Sequence, residues 1–160
     1  MKKIKVISYT ITLCIMALIF FFSSQTRDES SALSSGLIMW FLNCVSVFSP
    51  IDSMEKLQFA AELSHVVRKC AHFTIYAALG ASSAVSFRLM TGLKYRKIFF
   101  VTVIFCMIYA ASDEIHQLFV SGRGGMITDV MIDTSGSAAG FVILMMVLGI
   151  KKCLVRRIDN

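Results

Sequence analysis

The sequence predicts an all-α polytopic membrane protein with four transmembrane helices plus an outer-face interfacial segment and an amphipathic helix. Three observations predict it. Hydrophobic residues make up 56% of the 160-residue chain and charged residues only 16%, with a mean hydropathy of +0.72. Soluble domains instead run near about 45–50% apolar and about 25% charged. Four apolar runs approach the roughly 20 residues that a membrane span needs, and the basic residues between them are distributed as the positive-inside rule demands. This composition excludes a disordered regulator, a secreted disulfide scaffold and an ordinary cytosolic enzyme. Four spans consume about half of the chain, so 1–160 reads as a single membrane domain with no large soluble domain beside it.

The first span is placed at about 4–22. Lys2, Lys3 and Lys5 followed by an apolar run look like a secretory signal, but Phe20, Phe21 and Phe22 lead straight into Ser23, Ser24 and Gln25. The small residues of a cleavage site are missing, so the run reads as an uncleaved span. Residues 23–69 are then extracytoplasmic. Within them Gly36 to Phe48 is short and stops before Pro50, which makes it an interfacial or re-entrant segment carrying Trp40 and Phe41. The pair Asp52 and Glu55 has capping-box spacing. It opens an amphipathic helix through Leu57, Ala60, Leu63 and Val67 that feeds the second span, about 70–90. The third span covers about 98–120, taking in the polar stretch from Ser112 to Gln117, and the fourth about 127–150. Ser121, Gly122, Arg123, Gly124 and Gly125 close the hairpin between them.

Charge decides the orientation. With both termini cytoplasmic, eleven of the sixteen Lys and Arg residues lie inside, whereas a fifth span at Gly36 to Phe48 would reverse the balance. The net charge of +6 is therefore an orienting rim rather than a nucleic-acid surface. On this topology nine of the ten acidic residues are outside and only Asp159 is cytoplasmic; His65, His72 and His116 are also in the outer half. The five cysteines, Cys14, Cys44, Cys70, Cys106 and Cys153, follow no metal or redox spacing.

Depth singles out candidate site residues. At 1.5 Å per residue, Asp113 and Asp133 lie roughly 10 Å inside the outer ends of the third and fourth spans. A charge facing lipid there costs about 2.5–3.5 kcal/mol or more, so both face the bundle interior or a wet cleft. Helical spacing groups Tyr109, Asp113, His116 and Gln117 in one stripe, Asp129, Asp133, Gly136 and Gly140 in a second, and His65, Arg68, His72 and Tyr76 in a third. The candidate ligand-binding set is Arg68, His72, Asp113, Glu114, His116, Gln117, Arg123, Asp129 and Asp133. A structural salt-bridge network with Arg68 and Arg123 is the competing reading of these acids, and snorkelling at the membrane surface is that of Lys69. Gly136 and Gly140 form a small-residue packing face.

Phe22-Ser23-Ser24-Gln25, Arg68-Lys69-Cys70-Ala71-His72-Phe73 with Tyr76, and Ser112-Asp113-Glu114-Ile115-His116-Gln117-Leu118-Phe119 followed by Arg123, Asp129, Asp133 and Gly136 together resemble the VanZ-like family, in the same order. The likeness extends from about residue 4 to residue 150. Ser121 departs from it, standing where Pro is expected, and Asp133 occupies a position where Asn is also common. The resemblance implies a multi-pass protein of the bacterial cytoplasmic membrane. The family's founding member is associated with low-level resistance to the glycopeptide teicoplanin.

Three functions compete at this stage. The first is an outward cleft binding an amphipathic ligand, either a lipid-linked cell-wall precursor or the lipid tail of a lipoglycopeptide, with Arg68 and Arg123 as donors to its anion. The second is a membrane enzyme acting on a lipid-linked phosphate or glycosyl group. There His116 or His72 would be nucleophile or base, oriented by Asp113 or Asp133, or Asp113, Glu114, His116, Asp129 and Asp133 would hold a divalent cation, although their spacing matches no standard metal signature. The third, an ion-coupled transporter, suits intramembrane carboxylates, but the inner halves of the spans read as almost wholly apolar.

Overall fold

The computed structural model describes residues 2–46 and 52–158, the last eight of these, 151–158, by backbone alone. Phe48, Pro50 and Asp159 lie outside the described residues. Five helices follow one another: α1 (Lys2–Ser23), α2 (Arg27–Val45), α3 (Ser53–Thr91), α4 (Tyr95–Gln117) and α5 (Ile127–Ile158). Four of them, α1, α3, α4 and α5, contain a stretch long and apolar enough to cross a membrane.

Each boundary has a local cause. Thr26 caps α2 through a capping box: its Oγ1 accepts from Glu29 N–H at 3.3 Å, and the Glu29 carboxylate accepts from Thr26 N–H at 2.8 Å. That second bond, reinforced by the Thr26 hydroxyl, holds the Glu29 carboxyl below the usual range. The box starts α2 at Arg27, well before Gly36, so the interfacial segment is the second half of a longer helix. Asp52 caps α3 by accepting from Met54 N–H at 3.1 Å. The amphipathic helix and the second span then run on without a break, giving a rod of 39 residues, about 58 Å long. Gly92 ends α3 in the left-handed conformation at φ 64°, which glycine adopts without steric cost, and the Arg88 guanidinium donates to the carbonyls of Gly92 and Leu93.

The third span is displaced from its expected place, occupying 95–117 rather than 98–120. Leu118, Phe119 and Val120 turn their N–H groups onto the carbonyls of Ile115, His116 and Gln117, a tight turn that stops α4 three residues early. Asp113 is consequently one turn from the helix end, about 6 Å deep instead of 10.

Packing divides the molecule into a bundle and an appended hairpin. In the bundle, Ile19 from α1, Tyr76 and Leu79 from α3, and Cys106 and Ala110 from α4 form a buried core. Phe141 of α5 packs with Ala84 and Ile98 nearer the Lys2 end. Helix α5 approaches α3 backbone to backbone: a Cβ on Gly136 or Gly140 would collide with the carbonyl of Phe73 or Ala77. The small-residue face therefore brings α5 against α3, as helix packing in lipid requires. At the Lys2 end Ser8 and Thr12 bond Ser86 at 2.7 and 3.1 Å, a buried hydroxyl knot in a region the sequence reads as almost wholly apolar. Large side chains such as Ile11, Phe21, Ile104, Ile108, Ile143 and Val147 stay exposed around the bundle, the apolar girdle of a chain whose solvent is lipid. Helix α2 lies outside the bundle, packing Ile38 and Leu42 on Ala60 of α3.

Candidate functional site

The end of the bundle where α4 stops and α5 starts carries a cleft of about 340 Å³. Its walls come from the middle of α3, the first turns of α5, the end of α4 and the connecting loop. Two bonds set that loop. The Glu114 carboxylate accepts from Met126 N–H at 2.8 Å, placing negative charge beside the start of α5, where the helix dipole favours it. Arg27 N–H reaches the Ser121 carbonyl at 3.4 Å, tying the start of α2 to the same loop.

Seven of the nine residues in the candidate set line this cleft: Arg68, His72, Glu114, Gln117, Arg123, Asp129 and Asp133. Asp113 and His116 do not. The α4 stripe on which they sit turns toward α1. There the Tyr109 hydroxyl donates to the Met16 carbonyl at 2.7 Å, Asp113 Oδ2 accepts from Ser23 at 2.6 Å, and the Gln117 amide donates to Ser23 at 2.8 Å. His116 stacks on Phe20, ring centroids 4.6 Å apart, with Nε2 3.2 Å from the Ser24 hydroxyl. Asp113 lies behind the cleft, within electrostatic reach of His72 and Asp133. On α3, His65, Arg68 and His72 face the cleft, while Tyr76, one turn further on, is wholly buried.

The cleft-facing charges neutralise one another only in part. Lys69 pairs with Asp129 at 2.7 Å, so it is held in an ion pair rather than left to snorkel. His72 Nδ1 stands 3.7 Å from Asp133 Oδ2. Among the described residues no ion pair involves Arg27, Arg68 or Arg123. Arg68 donates to the Ser31 hydroxyl at 2.9 Å, and Arg123 to the Phe22 carbonyl at 3.4 Å. Partial burial, followed by the nearby Arg68 charge, draws the Arg123 pKa below its ordinary value. The salt-bridge network with Arg68 and Arg123 is thus not what the acids form. They also do not converge as a metal site: among the described residues no group of three or more His, Cys, Asp or Glu side chains is placed to hold an ion.

Two contributors escape the sequence reading. Arg27 reaches the cleft because the Thr26 capping box fixes where α2 begins, and the Thr26-to-Glu29 spacing is the signal that could have found it. Ser23, which the sequence reading places just past the first span and outside the candidate set, is fully buried and bridges Asp113 to Gln117.

Four membrane-capable helices, a lipid-facing apolar girdle and a polar cleft at one end define a multi-pass helical membrane protein. The chain belongs to the VanZ/LLP1 family, whose family model matches residues 8–148. No curated protein and no solved structure matches it.

Proposed function

We propose that the cleft binds the anionic head group of an amphipathic ligand at the outer leaflet of the bacterial cytoplasmic membrane. The lipid bilayer and a lipid-linked cell-wall precursor or a lipoglycopeptide are its partners. One observation carries this reading: three guanidiniums, Arg27, Arg68 and Arg123, gather at one cleft without a carboxylate partner among the described residues. Arg68 and Arg123 are half-buried and their like charges repel, and a phosphate or carboxylate relieves the repulsion while accepting charge-assisted hydrogen bonds from them and from the exposed Arg27. Orientation follows from the eleven basic residues at the opposite end and tail, which put that end in the cytoplasm and the cleft outside. A contribution to glycopeptide resistance is the physiological form of this reading, by engagement of the precursor or of the antibiotic's lipid tail.

The test is binding of a radiolabelled lipid-linked cell-wall precursor to the full chain in lipid nanodiscs. Arg68→Ala and Arg123→Ala should each weaken binding about tenfold or more, since a hydrogen bond to a charged group contributes about 1.5–3 kcal/mol and about 1.4 kcal/mol is tenfold. Equal binding by the double variant overturns the reading. In cells, deletion should alter teicoplanin susceptibility; unchanged susceptibility with unchanged precursor pools counts against the envelope role.

A further inference from the structure

The geometry points to His72 as the general base of a hydrolytic centre in this cleft, with a lipid-linked phosphoanhydride as substrate. The inference rests on the anion-binding reading of the cleft and adds a reaction to it.

His72 is the junction between two differently charged layers. On the open side it lines the cleft one helical turn from Arg68, and residues at that spacing on a helix have Cβ atoms about 5–6 Å apart. A phosphoryl group held between Arg68 and Arg123 therefore lies beside the imidazole. On the closed side Nδ1 stands 3.7 Å from the carboxylate of Asp133, which is 1% exposed. Neither Asp133 oxygen accepts a hydrogen bond, Asp113 Oδ1 accepts none, and the buried Tyr76 hydroxyl has no partner. Buried acceptors without donors are costly, and a catalytic role is one reason native structures retain them. An imidazolium formed at His72 supplies the missing positive donor to this layer. The buried carboxylates therefore stabilise the state that His72 reaches on taking a proton, and Asp133 acts as its positioning residue. Hydrogen bonds of this kind are often long before substrate binds.

The other acids near the cleft are committed, Glu114 to Met126 N–H and Asp129 to Lys69. With both carboxylates engaged in holding the fold, a substrate whose leaving oxygen departs as an anion fits best, because it calls for no acid. A phosphoanhydride meets that condition, and water is the co-reactant. His72 takes one water proton on the ring nitrogen turned away from Asp133, and the water oxygen forms a bond to the terminal phosphorus. The bridging P–O bond breaks with its electron pair going to the bridging oxygen. The lipid monophosphate leaves as an anion held by the guanidiniums, and the proton passes from His72 to the released phosphate.

The experiment uses the full chain in nanodiscs with a polyprenyl pyrophosphate, measuring its binding and the release of inorganic phosphate. The wild-type protein should bind and hydrolyse it. His72→Gln and Asp133→Asn should lower kcat at least 100-fold, a far larger change than either makes in binding, and the binding that remains reports that both variants are folded. Arg68→Ala should raise KM more than it lowers kcat. Binding without phosphate release by the wild type, or release undiminished in His72→Gln, overturns the catalytic inference and leaves the binding reading standing. Failure of the wild type to bind the pyrophosphate overturns both.

Discussion

Asp113 is buried and depends on two neutral donors, Ser23 from α1 and Gln117 from its own helix. Ser23→Ala removes the 2.6 Å bond and leaves Oδ2 only the 3.4 Å contact to Gln117, while Oδ1 already has no partner. A buried acceptor stripped of its donor costs about 1–3 kcal/mol, and each kcal/mol shifts the unfolding midpoint of a chain this size by roughly 2–4 °C. Thermal unfolding in detergent should show that drop, with Ser23→Thr restoring most of it; an unchanged midpoint would mean the bond contributes nothing. At this scale residue type is legible in the sequence and side-chain direction is not. Depth in the membrane identifies Asp133 as inward-facing, because lipid tolerates its charge nowhere else, and the structure sets it on the cleft wall with Arg68, His72 and Asp129. Depth alone does not say which interior wall a side chain meets, and so Asp113 and His116 turn out to face α1 rather than the cleft.

Elements are held together by two kinds of contact, each legible to a different degree. The Gly136 and Gly140 face is readable as a packing surface, and α5 uses it to reach the α3 backbone. Gly140→Ala places a methyl against the Ala77 carbonyl, which cannot retreat without moving helix α3. Overpacking of this kind costs about 1–3 kcal/mol, and the substitution should lower the unfolding midpoint while the equivalent change at Gly149, where nothing is near, leaves it in place. Equal midpoints for the two variants would remove the close-approach account. Helix ends were the poorest element-scale inference. Val120 and Gln117 are both plausible last residues by hydropathy, and the decision belongs to the three turn bonds after Gln117, which follow from the loop that α5 and Glu114 hold in place.

At the scale of the whole molecule, the proposed direction in the membrane can be tested at one side chain. Cys44 sits exposed in the last turn of α2, the helix that lies outside the bundle and starts at the cleft. In a chain with Cys14, Cys70, Cys106 and Cys153 replaced by alanine, it should react with a membrane-impermeant maleimide on intact cells. Labelling only after permeabilisation would reverse the orientation and place the cleft in the cytoplasm. The count of spans and the separation of a basic end from an acidic one were determined by the sequence alone, because the cost of placing charge in lipid acts on each residue independently of its neighbours in space. What the tertiary structure decided is which charges meet. Lys69 is paired with Asp129 while Arg27, Arg68 and Arg123 are left facing the cleft, since pairing depends on distances between helices set by the glycine contacts of α5, the early stop of α4 and the capped start of α2. Those distances are collective properties of the packed helices, and they make a scatter of polar residues into a site.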